Sequence, residues 1–250
     1  MAILFALMRS TTNKVSCRWS GLLKKQGGKM DLQYYFSGSF CQFEEYFSTI
    51  PHQKRKYKKK EPLTGIGEPM DKMFYIINGT LTSAYLHESG HYKAFALCGK
   101  GYLAPLYFPG DLNVLRSMVF TAVSDMEVYV FNRDTFEKHL FSNPELNRTM
   151  YQCYIDLMSM LVQDNANQLF CSGLEKISNF FYIYLDNIKE KNNTIYLSQN
   201  ELMEFVGLNL KNVSKYLKIL RDAGVIETYR NMIKVLDMEK LKNYCSFEII

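Results

Sequence analysis

Ser198-Gln-Asn-Glu201-Leu-Met-Glu-Phe-Val206, then Gly207, then Asn209-Leu-Lys-Asn-Val-Ser-Lys-Tyr-Leu-Lys-Ile-Leu-Arg-Asp-Ala-Gly224 is the stretch that decides the fold. Its opening S-x-x-E form lets the Ser198 oxygen accept a backbone amide while Glu201 reaches back to the cap, so a helix begins there. Gly207 supplies a tight turn, and Asn209 is placed to cap a second helix. In that second helix Val213, Leu217 and Leu220 share one face, whereas Lys211, Asn212, Ser214, Lys215 and Lys218 lie largely on others. A helix that buries one side and presents short polar and cationic groups from its N-terminal turns suits a DNA major groove.

Working outward, Val225-Ile-Glu-Thr-Tyr229, a turn at Arg230-Asn231 and Met232-Ile-Lys-Val-Leu236 read as a two-stranded wing, closed by a short helix over 237–244. Upstream, Ser172-Gly-Leu-Glu175 repeats the S-x-x-E start and opens another helix. Before it, from Pro144 onward, Leu146, Met150, Cys153, Leu157, Met160 or Leu161, and Asp164 recur at intervals of three and four. One helix over 144–170 is about 40 Å long, more than a small globule can cover, so this stripe is expected to meet its own copy in a second subunit. From about 50 to 135 the pattern is different. Met73–Ile77, Leu81–Leu86, Tyr92–Leu97 and Glu127–Phe131 are β-type runs, punctuated by Asn78-Gly79, Ser89-Gly90, Gly99, Gly101 and Pro109-Gly110, which is the rhythm of a β-barrel or roll. The expected division is an N-terminal extension of little order over 1–30, a sensor roll over 31–143, a dimerisation helix over 144–170 and a winged helix over 171–250. The fold class is α+β.

Composition bounds the function. The chain has 250 residues, 47% of them hydrophobic, enough for two cores. Its net charge of +5 favours a polyanionic partner without demanding one. The six cysteines (Cys17, Cys41, Cys98, Cys153, Cys171, Cys245) include no C-x-x-C pair and read as reduced thiols of a cytoplasmic protein, with no metal framework. The apolar run Ala2 to Met8 is too short to span a bilayer, so no membrane partner is expected. No Gly-rich phosphate loop, nucleophile elbow or motif-placed carboxylate pair points to an enzyme.

The stretch Ile195 to Leu208, with Val213-Ser214-Lys215, Leu217, Leu220, Gly224-Val-Ile and Ile233-Lys-Val-Leu-Asp237, resembles the winged helix of the catabolite activator protein and fumarate-nitrate regulator (Crp/Fnr) superfamily. The resemblance extends over Gly67-Glu-Pro69 and Phe74-Tyr-Ile-Ile-Asn-Gly79, similar to that family's β-roll, and then over the long helix. It implies a cyclic-nucleotide-binding-like roll, a dimerisation helix and a DNA reader, in that order. The implied partners are double-stranded DNA, a second copy of the chain, a small-molecule effector and RNA polymerase.

Departures from the family pattern adjust these expectations. Leu210 and Lys211 stand where family members often carry arginine and glutamate, and Lys215 replaces an arginine. Lysine cannot fork onto guanine, so the half-site should differ from the family's best-known one. Lys211, Asn212, Ser214, Lys215 and Lys218 are the expected DNA contacts. In the roll, Arg116-Ser117 resembles the pair that holds a cyclic phosphate, but Ala104-Pro105 stands where the family's glycine and ribose-binding glutamate would be. The helix positions that would face adenine resemble Leu161 and Val162. The expected effector is therefore a different small molecule, aromatic or anionic, held by Arg116 and Ser117 between Tyr102, Tyr107 and Leu161. A cyclic nucleotide, or a module that keeps the fold without binding DNA, are the alternatives. No cofactor is implied, since the cysteine cluster of the iron-sulfur branch is missing and no residue argues for haem. The basic run His52 to Lys60 reads as exposed lysines on a first roll strand or as a nucleic-acid patch. His87 and His91 flank a hairpin tip without a third metal ligand.

Overall fold

A computed structural model describes residues 33–65, 67–109, 117–188 and 192–246. The proposed extension over 1–30, Cys17 and Arg116 lie outside the described residues.

The N-terminal part is a roll of two four-stranded sheets. One has the order β1-β5-β4-β7, from β1 (Tyr35–Phe36), β4 (Leu81–Leu86), β5 (Tyr92–Cys98) and β7 (Met118–Ala122). The other has the order β2-β8-β3-β6, from β2 (Gln53–Tyr57), β3 (Lys72–Asn78), β6 (Leu103–Ala104) and β8 (Met126–Asn132). All pairings are antiparallel except β1 with β5. Each run expected to be a strand from its branched and aromatic residues forms one. Asn78-Gly79 turns β3 into β4, and Gly79 has φ +89°, with a Cβ there falling 2.4 Å from that of Met126. Phe36, Phe40, Phe47, Phe74, Phe120, Phe131 and Phe136 fill the space between and beside the sheets. Their buried area is the main stabilising term, about 1.5–3 kcal/mol for each such side chain taken from water.

The basic run lies on β2, an edge strand whose Gln53 to Lys56 are all exposed. Lys54 pairs with Glu127 at 3.2 Å and Lys58 with Asp125 at 2.8 Å. Lysines on an open edge oppose pairing with another chain's strand, and such exposed ion pairs contribute little stability.

Helices α1 (Glu44–Thr49) and α2 (Arg133–Ser142) flank the roll. The long helix α3 (Pro144–Phe170) begins as Pro144 suggested, with proline in its first turn and the Asn143 side chain accepting the Leu146 amide at 3.1 Å. Its faces correct one expectation. Leu146, Met150, Cys153 and Met160, the stripe assigned to a second subunit, are at most 3% exposed within this one chain because they close the roll's core. Leu157 is also packed against that core. A second stripe is left bare: Tyr151 is 66% exposed, Ile155 38%, Met158 61%, Val162 63% and Leu169 68%.

Helix α4 (Gly173–Ile188) opens at Ser172, whose amide donates to Glu175 Oε2 at 2.7 Å while Ser172 Oγ accepts the Glu175 amide at 3.4 Å. Next come β9 (Thr194–Ile195), α5 (Gln199–Val206), α6 (Leu210–Asp222), β10 (Ile226–Tyr229), β11 (Met232–Val235) and α7 (Met238–Lys242). The three strands form one antiparallel sheet in the order β10-β11-β9. The wing turn falls at Arg230-Asn231, with Asn231 at φ +58°. The closing helix is shorter than the 237–244 expected, because Asp237 is its N-cap and Asn243 its C-cap.

Candidate DNA-reading face and roll cavity

The reading unit is assembled from its caps. Ser198 and Glu201 form the reciprocal capping box of α5, with the Ser198 amide donating to Glu201 Oε2 at 2.7 Å and the Glu201 amide to Ser198 Oγ at 3.2 Å. Gly207 ends α5 at φ +65°, a conformation in which a side chain is strained. Asn209 then caps α6, its Oδ1 accepting the Asn212 amide at 2.9 Å. Val213, Leu217 and Leu220 are fully buried, which anchors one face of α6 against α4 and α5. At the other end, Arg221 donates to Thr228 Oγ1 at 2.8 Å and ties α6 to the wing. Gly173 lets the Tyr216 ring pack against the start of α4, since a Cβ there would lie 2.4 Å from the ring.

The outer face carries the residues singled out from sequence. Lys211, Ser214, Lys215 and Lys218 are exposed, and Asn212 is half-buried beside them. The three lysines have no ion-pair partner among the described residues, so their charge is available to an anion. Lys215 Nζ sits 5.3 Å from the Tyr216 ring centroid, which holds its stem along the helix. Ser214 is less free than expected, because its hydroxyl donates to Gln199 Oε1 at 2.9 Å. Gln199 is the residue that sequence reading missed: it is the first residue of α5, where backbone amides lack intrahelical partners and favour a phosphate. The capping box beside it was the available signal.

A cavity of about 220 Å³ lies between the roll and α3. Tyr85, Phe95, Ala96, Tyr102, Leu103, Ala104, Pro105 and Phe120 wall it from the roll; Tyr154, Leu157, Met158 and Leu161 wall it from α3. No charged side chain lines it among the described residues. Burial drives the Tyr102 phenol well above its ordinary pKa and pushes the Cys98 thiol up to about 12, so both are neutral near pH 7. Ser83 Oγ and Cys98 Sγ face each other at 3.8 Å. The Tyr102 hydroxyl is buried and finds no hydrogen-bond partner among the described residues. A buried hydroxyl left unpaired costs about 1–3 kcal/mol, which a bound acceptor would recover.

Of the expected effector residues, Tyr102 and Leu161 line this cavity, and Pro105 offers it only apolar surface. Tyr107 does not reach it: its hydroxyl donates to Glu137 on α2 and its ring packs 5.9 Å from Phe141. Ser117 is exposed and faces a different cleft, between the β4–β5 hairpin and the start of the reader. Val162 points away from the cavity on the bare stripe of α3. Leu157, assigned to a subunit seam, is instead part of the cavity wall.

Comparison with known proteins agrees with this architecture. The cyclic nucleotide-binding domain family matches residues 54–143, and the Crp-like helix-turn-helix domain family matches residues 176–244. A probable transcriptional activator of Rhizobium leguminosarum bv. viciae is 26% identical over 132 residues, 50% of this chain and 55% of that protein. The match thus spans about half the length of that relative. The transcriptional activator protein FnrL of Cereibacter sphaeroides is 25% identical over 219 residues, 80% of this chain and 84% of its own. The solved structure of FixK2 from Bradyrhizobium japonicum superposes with a TM-score of 0.69 at 18% identity, covering 79% of this chain and 98% of that one, a likeness of fold. With sensor roll, long helix and winged reader in that family's order, the chain belongs to the Crp/Fnr family of transcription regulators.

Proposed function

We propose that the protein acts as a homodimer that binds an inverted-repeat DNA site through α6, under the control of a neutral, largely apolar small molecule in the roll cavity. The carrying observation is the outer face of α6, where Lys211, Lys215 and Lys218 stand exposed, with no ion-pair partner among the described residues, on a helix whose other side is fully anchored. Lys211 and Asn212 lie in the first turns, within reach of base edges, and Lys218 lies further along for phosphate contact. Ser214 and Gln199 present a hydrogen-bonded pair to the same groove.

Dimerisation is supported by the bare stripe of α3. Tyr151, Ile155, Met158, Val162 and Leu169 follow spacings of four, three, four and seven, the heptad seam of two parallel helices. A two-fold pair would place both readers on one side of the molecule. On the effector, the apolar lining of the cavity, with no charged side chain among the described residues, supports an apolar or aromatic ligand with one hydrogen-bond acceptor for Tyr102. RNA polymerase is the further partner this family assignment suggests.

The test is a salt titration of binding to duplex DNA, with the dimer at fixed concentration. Reader binding requires the logarithm of the association constant to fall steeply and linearly with the logarithm of salt, and the slope to drop when lysines of α6 are replaced. Binding that ignores salt, or that is unchanged with all three lysines replaced by alanine, would remove α6 as the reader.

A further inference from the structure

Lys93 on β5 is largely buried, and all three of its N–H groups are used. Nζ lies 2.9 Å from Asp164 Oδ2 on α3, 3.0 Å from the Ala94 carbonyl and 2.7 Å from the Phe205 carbonyl in the last turn of α5. Asp164 Oδ1 in turn accepts the Tyr34 hydroxyl at 3.1 Å and Gln168 Nε2 at 3.4 Å. Carbonyls in the last turn of a helix lack backbone donors, and a cation there complements the helix dipole. Lys93 therefore caps α5 from the sensor roll. Gln168 also lies against Gly207, where a Cβ would come within 2.9 Å of its Oε1, so the end of α3 abuts the turn of the reader.

The two elements that supply this network also wall the cavity. Phe95 and Ala96 follow Lys93 by two and three residues on β5, and Leu161 precedes Asp164 by one turn on α3. A change in cavity width alters the separation of β5 and α3, and Lys93 bridges that gap. An apolar contact would slide under such a change. Breaking this ion pair leaves the Asp164 carboxylate, whose side chain is only 11% exposed, without its cation, and so the pair behaves as a two-position element. Burial works against the Lys93 charge while Asp164 holds it.

We propose that Lys93 is the coupling residue of this regulator: through Asp164 and the Phe205 carbonyl it converts a change in the roll cavity into a change in the pose of α5 and α6. The proposal rests on the reading that the cavity governs DNA affinity.

The test needs no identified ligand, because Ala96→Leu fills the cavity from within. Operator affinity of the full-length dimer is measured for the parent and for Ala96→Leu, then for the same pair in Lys93→Met and Asp164→Asn backgrounds, using DNA recovered by selection. The expected result is a shift of tenfold or more caused by Ala96→Leu in the parent and less than twofold in both other backgrounds. An equal shift in all backgrounds overturns the coupling role while leaving the cavity reading intact. Should Ala96→Leu shift nothing in the parent, the cavity does not govern DNA affinity, and both ideas fall. A lysine with only a structural role would lower the melting temperature and leave the Ala96→Leu shift unaltered. If Lys93→Met does not fold, Asp164→Asn, which keeps an acceptor for Tyr34, decides the matter in the same way.

Discussion

Val162→Glu should dissociate the dimer without unfolding the chain. Val162 is 63% exposed in the single chain, so a carboxylate there stays in water and the roll's core is untouched. In the proposed two-fold pair the exposed part of Val162 is buried. At about 1.5–3 kcal/mol for a whole apolar side chain, that portion contributes roughly 1–2 kcal/mol, and symmetry counts it twice. Each buried, unpaired carboxylate adds a penalty of several kcal/mol. With each 1.4 kcal/mol worth about tenfold, the dimer dissociation constant should rise by a thousandfold or more. Light scattering at micromolar concentration should report a monomer whose melting temperature is near the parent's, and tight DNA binding should be lost. Leu146→Glu is the matched control, because Leu146 is fully buried in its own chain and its replacement should lower the melting temperature instead. A Val162→Glu protein that stays dimeric, or a Leu146→Glu protein that melts normally as a monomer, would refute the assignment of the two stripes.

Tyr102→Phe should raise the melting temperature, since it deletes a buried hydroxyl that has no hydrogen-bond partner among the described residues and costs about 1–3 kcal/mol; a lowered temperature would mean that the hydroxyl is already satisfied. Glu204 has its carboxyl pushed up to about 7, first by burial and then by Glu201. Because the folded value lies above the unfolded one, the folded state binds the proton more tightly, so this group's stabilising contribution is present below about pH 4.5 and lost as pH rises through 7. Glu204→Gln should flatten that part of the melting profile between pH 5 and 8, and an unchanged profile would contradict it. Lys211→Ala should cost about 1–3 kcal/mol in DNA binding and relax preference at one base pair, whereas Lys218→Ala should weaken all sequences alike and reduce the salt slope by about one unit; competition binding on single-substitution duplexes separates the two.

Features determined by neighbours along the chain were the ones readable in the sequence. Both S-x-x-E boxes, the Asn209 cap and the Gly207 turn depend on contacts within four residues, and each forms as the local chemistry dictates. The long helix was equally readable, but its orientation was not. Two apolar stripes run along it, and the period of an α-helix cannot say which one meets the chain's own roll. Asp164 looked like a member of a subunit seam although it carries a charge. Its partner, Lys93, lies 71 residues away, beyond any pattern of spacing. Tyr107 was misplaced because strand alternation stops at Pro105, after which nothing local fixes which way a side chain points. The Ser198–Glu201 box marks where α5 starts, but the reach of Gln199 to Ser214 on the next helix spans 15 residues and has no local signature.

The central claim is that two copies of this reader face DNA across a two-fold axis. Selection from random duplexes, with the purified full-length protein and footprinting of the recovered sites, tests it most directly. The expected result is an inverted repeat whose half-sites are centred one helical turn, about 34 Å, apart, with protection of both half-sites lost together in Val162→Glu. Recovery of a single unpaired half-site bound equally well by the Val162→Glu protein would contradict it.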